Sequence, residues 1–362
     1  MTISRKALIE SLKMAMPAIE TGKPTLQGAD AFVFHDGKIF SYNDSIAVYA
    51  PLDTTGLVDE DVEGAVHADE FFKVISKFSG DEINFAVTGN NTWVLKCGKA
   101  KAEMTLMDFD FTSRLQGVTP DEKAWIKLPD DFVSGIGACK MATNKTPLAG
   151  IYIRGDIIAS TDGYQINKFQ MKKADLPTVW ISDSSANELL KINGLSDIQL
   201  QGTWAHFRSS DGTVFSIKTL QADKFPYEKL VSLLDAGKPE DGDFHSTFPL
   251  ELFEAIDRAN SFAIDLSEHS AVRLVISSQH IEVSSERASG KYLEKVSWGQ
   301  ELKEAVEPMT VYVDATMMSF MSKRSLEFYL KKMKSKSGKI IPRLLFVSDS
   351  SCHLMTTFTM DE

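Results

Sequence analysis

Residues 151–171 read IYIRGDIIASTDGYQINKFQM. Ile151 to Arg154 alternate as a strand does. Gly155-Asp156 is a two-residue hairpin turn, because glycine tolerates positive φ, and Ile157 to Ser160 return. Thr161-Asp162-Gly163-Tyr164 is a second tight turn, and Gln165 to Met171 form a third strand. The stretch predicts a three-stranded meander whose second bend gathers Thr161, Gly163, Tyr164 and Ile166.

A helix precedes this meander, opening at Pro129-Asp130-Asp131 and running through DDFVSGIGACKMA. The same order occurs twice more. Leu8, Ile9, Leu12 and Ala15-Met16 make one apolar stripe after Ser4, which caps, and before Pro17, which ends the helix. Leu252, Phe253, Ile256 and Ala259 make the third stripe. Helix starts near Arg5, Pro129 and Pro249 recur at intervals of 124 and 120 residues. Strand-to-helix units starting at Val66, Val179 and Val311 mark a second half in each repeat, 113 and 132 residues apart. Polar, turn-rich stretches at 113–122 (SRLQGVTPDE) and 235–244 (DAGKPEDGDF) read as linkers. A repeat of this kind fixes architecture more firmly than any one motif. The expected fold is α+β: three similar domains at 1–118, 119–240 and 241–362, each made of two helix-plus-meander units.

The 362 residues carry a formal net charge of −11, which argues against nucleic-acid binding unless bases and acids lie on different surfaces. The six expected helices hold ten bases: Arg5, Lys6, Lys13, Lys73, Lys77, Lys140, Lys191, Arg258, Lys323 and Arg324. Solvated helix faces often carry lysine, so charge alone does not decide. The densest basic run, residues 331–339, reads either as a solvated loop or as a phosphate-contacting finger. Cys97, Cys139 and Cys352 are far apart and lack metal-ligand spacing, as expected of small buried residues in a reducing compartment. No membrane-length apolar run and no signal-peptide core is seen, so a cytoplasmic location is expected. No phosphate loop, dinucleotide fingerprint, nucleophile elbow or HExxH pair occurs, and the seven histidines are scattered. Asp108-Phe109-Asp110 reads as a structural turn. No catalysis, metal or cofactor is expected.

The repeated doubled unit resembles the bacterial β sliding clamp of replicative DNA polymerase. Gly22-Lys23-Pro24-Thr25-Leu26, Val66-His67-Ala68-Asp69-Glu70-Phe71-Phe72, Leu148-Ala149-Gly150, Thr161-Asp162-Gly163-Tyr164, Phe225-Pro226 and Ala271-Val272-Arg273-Leu274 resemble family segments in order and spacing. The resemblance implies helices inside and sheets outside, in a ring closed by head-to-tail dimerisation. It implies a non-catalytic processivity factor that encircles duplex DNA and tethers the polymerase. DNA-facing positions carry over to Lys23 and Lys145, whereas a family glutamine is matched by Ala142; helix placement adds Lys73, Lys77, Lys323 and Arg324. The family's pocket for short hydrophobic peptides of polymerase and clamp loader maps to Leu148, Thr161, Gly163, Tyr164, Ile166, Pro226, Leu230, Val231, Pro342, Phe358 and Met360. The ring interface maps to Ala102 and Met104 against Phe262 and Ile264. Tyr164 stands where the family has a histidine, and the chain ends in acids, which implies an altered motif preference and a divergent, phage-encoded or otherwise distant clamp. Two other readings remain: a clamp-fold peptide scaffold that does not slide on DNA, and an enzyme on a three-domain scaffold.

Overall fold

The computed structural model describes residues 2–52, 62–88, 91–140, 146, 148–241, 243–266, 269–299, 307–334, 338 and 340–358. Its helices are α1 (Arg5–Ala15), α2 (Ala68–Lys77), α3 (Thr112–Val118), α4 (Phe132–Cys139), α5 (Asp183–Leu189), α6 (Tyr227–Ala236), α7 (Leu250–Asn260) and α8 (Ala315–Ser322). The chain divides into two units, residues 1–133 with 174–220 and residues 134–173 with 221–362.

The first unit holds two antiparallel sheets. The larger runs in the order Gly64–His67, Ala31–His35, Lys38–Tyr42, Ile46–Pro51, Val214–Lys218, Trp204–Ser209, Leu195–Gln201, Ile126–Lys127. Its middle joint places Val48 opposite Phe215, so strands far apart in sequence form one sheet. The smaller sheet orders Thr2–Ser4, Glu82–Thr88, Thr92–Cys97 and Ala100–Thr105. Leu8, Leu12 and Ala15 of α1 and Phe71 and Ile75 of α2 are buried, as their spacing on one helix face requires. They close over an aromatic cluster in which Trp93 meets Phe34 edge-on at 4.9 Å.

The second unit repeats the plan. Gly150–Gly155, Ile157–Thr161 and Gln165–Gln170 form the expected meander, with Arg154 opposite Ile157 and Thr161 opposite Ile166. Gly155 sits at φ +59° in the turn. The sheet continues through Ser351–Thr356, Ile340–Val347, Glu327–Lys334 and Phe244–Thr247. A second sheet orders Ile264–Leu266, His269–Ile276, His280–Arg287 and Gly290–Ser297, with Met309–Asp314 also paired to His269–Ile276. Leu252, Phe253, Ala255, Ile256 and Ala259 of α7 are buried in its core.

One contact recurs in all three repeats. The hydroxyl of Ser41 donates to the carbonyl of Ala15 at 2.6 Å, that of Ser160 to Cys139 at 2.5 Å, and that of Ser285 to Ala259 at 2.5 Å. Each serine is buried in the second strand of a meander, and each acceptor lies in the last turn of the preceding helix. The serines recur at intervals of 119 and 125 residues. Carbonyls in a helix's last turn lack intrahelical partners, so each bond satisfies one and pins helix to sheet.

Three expectations are corrected. The first supposed linker, 113–122, contains most of α3. Asp110 starts that helix: its Oδ1 accepts from the Thr112 amide at 3.0 Å and its Oδ2 from the Ser113 hydroxyl at 2.6 Å. These bonds, led by the Ser113 hydroxyl, pull its pKa down to about 2. The second supposed linker, 235–244, begins inside α6 and ends on the strand Phe244–Thr247. Leu230 and Leu234, four apart, are buried and explain that helix. In the basic run, Lys331 is buried, with Nζ 2.5 Å from Asp243 and 3.7 Å from Glu240. A buried ammonium needs such partners, so this lysine is a strut rather than a phosphate finger. Residues 335–337 and 339 of that run lie outside the described residues.

Replacing Ser41 or Ser160 by alanine removes the side-chain donor to a helix-end carbonyl and is expected to lower stability by about 1–3 kcal/mol each, whereas Ser285→Ala should cost about 1 kcal/mol, because the Ala259 carbonyl also accepts from the Phe262 amide at 3.0 Å. Urea denaturation measures this; losses below about 0.5 kcal/mol at all three positions would remove the role assigned to these bonds.

Candidate functional site

The expected peptide pocket draws on residues of the second unit. Its centre is the Thr161–Tyr164 bend. Asp162, 2% exposed, organises it: Oδ1 accepts from the amides of Tyr164 and Gln165, both at 2.9 Å, and Oδ2 from the Gln165 side chain at 2.8 Å. Thr161 is buried, accepts from the Gly163 amide at 3.1 Å and donates to the Gln165 carbonyl at 2.7 Å. Gly163 has φ +93° with open space around it, so glycine serves the turn's conformation rather than a close approach. Tyr164 is thereby held half-buried, with its ring 6.0 Å from that of Phe358.

The end of the described chain ties further pocket residues together. The Thr356 amide donates to the Tyr164 carbonyl at 2.8 Å, and the Phe358 amide to the Tyr312 carbonyl at 2.8 Å. The Thr357 hydroxyl donates to the Pro342 carbonyl at 2.5 Å. Bend, tail and Pro342 therefore form one group. Ile166 lies opposite Leu354 in the sheet, and the Leu354 side chain reaches the end of α6 at Gly237. Along α6, Leu230 is buried and Val231 half-buried, with Pro226 at the start. Leu148 is half-buried in the turn before Gly150–Gly155. Met360 lies outside the described residues.

Several residues that build this region were not anticipated. Tyr152 stacks on Phe225 at 4.5 Å and on Tyr227 at 5.3 Å, which seats the start of α6 on the meander. Arg154 covers the Tyr227 ring at 5.2 Å and pairs with Glu228 at 3.3 Å. Beneath the bend, His353 pairs through Nδ1 with Asn167 directly across the ladder. Asn167 donates to Ser160 at 3.0 Å, and the Cys139 thiol donates to the Ile158 carbonyl at 3.2 Å. Burial pushes the Cys139 thiol up to about 12 and the His353 imidazole down to about 3.

The expected DNA-facing bases sit differently from one another. Lys23 is exposed on a loop braced by Glu20, which accepts from the Thr25 amide at 2.6 Å and its hydroxyl at 2.7 Å. Lys77 is exposed in the last turn of α2. Lys73 pairs with Asp69 at 3.3 Å in a cleft that Glu20, Asp30 and Glu70 also line. Lys323 and Arg324 are both exposed, and Arg324 also donates to the carbonyls of Gly137 and Ala138. Lys145 and Ala142 lie outside the described residues.

Of the expected interface residues, half-buried Ala102 and buried Met104 lie on Ala100–Thr105, the last strand of its sheet. Phe262 packs over Gly290, where a Cβ would lie 2.8 Å from the ring. Of Ile264 only the backbone is described; it is paired with Ala271. The edge strand Gly290–Ser297 adds Leu293, 62% exposed, which the sequence did not single out. An exposed leucine on an edge strand is the signal that would have found it.

Folded His353 is neutral where the unfolded residue titrates near 6.5, so the unfolded chain binds the extra proton below that pH. Stability is therefore full above pH 6.5 and falls as pH drops toward 3. Between pH 7 and 5 this group should cost about 2 kcal/mol, and His353→Gln should remove that part of the pH dependence. Urea titrations at the two pH values check it; an unchanged dependence would contradict a neutral buried imidazole.

No family model and no curated protein sequence matches the chain. Solved structures do. The DNA polymerase sliding clamp of Bacillus subtilis superposes with a TM-score of 0.77 at 18% identity, covering 99% of both chains. The beta subunit from DNA polymerase of Streptococcus pyogenes gives 0.80 at 17%, again with 99% of both covered. The C. crescentus beta sliding clamp gives 0.78 at 13%, with the same coverage. From end to end, the fold of this chain is that of the bacterial DNA polymerase sliding clamps.

Proposed function

We propose that this chain is a DNA sliding clamp. Two copies close head to tail into a ring around duplex DNA, with helices toward the DNA, and hold a replicative polymerase at its template. The ring catalyses nothing. Topology replaces tight binding, so phosphate contacts stay weak and sequence-independent, which permits sliding. The three domains are 1–118, 119–240 and 241–362, and the ring works in the cytoplasm where the DNA lies. The observation that carries this reading is the fold likeness, which spans 99% of both chains.

Ring closure in this reading joins two sheet edges, Ala100–Thr105 of one copy and Gly290–Ser297 of the next. Ala102 and Met104 then cover Leu293 and the neighbouring Phe262 and Ile264. Such pairing buries apolar side chains and satisfies edge amides and carbonyls. Lys23, Lys77 and Lys145 face the duplex, with Lys73 a weaker contact because four carboxylates surround it. The bend at Thr161, Gly163, Tyr164 and Ile166, with Leu148, Pro226, Leu230, Val231, Pro342, Phe358 and Met360, takes the short hydrophobic peptides of polymerase and clamp loader. Tyr164 beside Phe358 favours an aromatic or aliphatic anchor there.

A second reading keeps the peptide pocket without DNA sliding; the acidic surroundings of Lys73 and the net charge of −11 favour it. Primer extension separates the two. Lys23→Glu with Lys77→Glu should shorten primer-extension products in the presence of polymerase and loader while leaving peptide affinity within about twofold. Tyr164→Ala or Ile166→Ala should weaken a fluorescent polymerase-motif peptide by about tenfold or more and leave the assembly intact. Wild-type protein that does not lengthen primer-extension products would favour the scaffold reading, and full processivity in the charge-reversed protein would remove the DNA-facing assignment of Lys23 and Lys77. Peptide binding that survives both pocket substitutions would remove the pocket assignment.

A further inference from the structure

Helix α6 supplies Pro226, Leu230 and Val231 to the candidate pocket, and its start is not capped in the usual way. Pro226 stands at the N-cap and offers no side-chain acceptor to the first amides. Rings hold the start instead. Phe225 and Tyr227, on either side of Pro226, both lie on Tyr152, at 4.5 Å with planes 7° apart and at 5.3 Å with planes 29° apart. Tyr152 itself is 4% exposed, too deep to touch a peptide.

The register puts this seat on the pocket's face of the sheet. Tyr152 lies opposite Ala159, and Ala159 opposite Lys168. Side chains two apart in a strand share a face, so Tyr152 is on the face that carries Thr161 and Ile166. The other face carries Ile158 and Ser160, which meet α4 at Gly135 and Cys139. At its far end α6 is followed by Gly237, beside the side chain of Leu354, and Leu354 lies opposite Ile166. The helix therefore crosses four strands, from Gly150–Gly155 to Ser351–Thr356. Three strand spacings make about 14 Å, and the 10 residues of α6 make about 15 Å. Fixing both ends fixes how far Leu230 and Val231 stand from the Thr161–Tyr164 bend.

The first repeat lacks this seat. By the 119-residue spacing of Ser41 and Ser160, Tyr152 corresponds to Val33 and Ala159 to Phe40. The pairing is the same, Val33 opposite Phe40 and Tyr152 opposite Ala159, but the large ring has moved from the second strand to the first. Of these two repeats, only the one with the pocket presents a ring at that place.

We propose that Tyr152 is the positioning residue of the peptide pocket: its buried ring seats the start of α6 and so sets the width of the pocket and the anchor side chain it accepts. This rests on the sliding-clamp reading and its pocket. The test is equilibrium binding of the full-length protein to the fluorescent polymerase-motif peptide and to the same peptide with its anchor residue changed to alanine. Binding is measured at a temperature where circular dichroism shows each variant folded, so that global stability does not enter. Tyr152→Phe keeps the ring face and should bind within about twofold of wild type. Tyr152→Leu keeps apolar bulk without the face and should bind the peptide about fivefold more weakly, with less discrimination between the two peptides. Phe225→Leu removes the same stack from the other side and should do the same, serving alone if Tyr152→Leu does not fold; the double variant should lose nothing more. Wild-type affinity and discrimination in the leucine variants, with Tyr164→Ala weakened, would overturn the positioning role and leave the pocket standing. A loss in Tyr152→Phe as large as in Tyr152→Leu would also overturn it, because the hydroxyl and not the ring face would then matter. If the wild-type protein binds no peptide, the pocket reading falls and this inference with it.

Discussion

The bond from a meander serine to the last turn of the preceding helix is the constraint on which this structure turns. A helix that packs on a sheet buries its apolar stripe, but its final carbonyls are buried with it and find no partner inside the helix. Ser41, Ser160 and Ser285 each supply one donor at that point. The bond sets both how far the helix slides along the sheet and which face of it stays in solvent. At α4 the serine has help from Arg324. The same local solution in three places lets one unit be repeated without a new docking rule each time.

From this frame the candidate pocket follows as a local specialisation. All three repeats turn a corner just after the serine. In the first repeat Asn43 Oδ1 accepts from the Ser45 and Ile46 amides at that corner, and in the second Asp162 does the same for Tyr164 and Gln165 and accepts from the Gln165 side chain as well. That holds Tyr164 half-buried beside Phe358 instead of letting it collapse into the core. The ladder from Gln165–Gln170 to Ser351–Thr356 then brings the end of the described chain to the bend. A site that gathers side chains from three distant segments is rigid because a sheet, not a loop, joins them.

Much of this was legible in the sequence. The apolar stripes of α1 and α7, the Gly155 hairpin and the Thr161–Tyr164 bend are local patterns with local causes, and the repeat made them mutually consistent. What was missed depends on partners far away. Strand Thr2–Ser4 exists because residues 82–84 pair with it, and no nearby residue announces that. The joints of Val48 to Phe215 and Ile166 to Leu354 likewise leave no local trace. Lys331 looked solvated because its neighbours are basic, yet its partners lie at Glu240 and Asp243. Arg324 looked like a free surface base because its acceptors are 186 and 187 residues away. The helices α3 and α6 were hidden for a different reason: each begins or ends among turn-forming residues, and a composition rule for linkers outweighed the pair Leu230 and Leu234.

The central claim is that two copies close into one ring, and mass in solution tests it most directly. Sedimentation equilibrium at micromolar concentration should give a single species of twice 40.1 kDa, with no larger open-ended polymers. A strict monomer of 40.1 kDa under the same conditions would contradict the account.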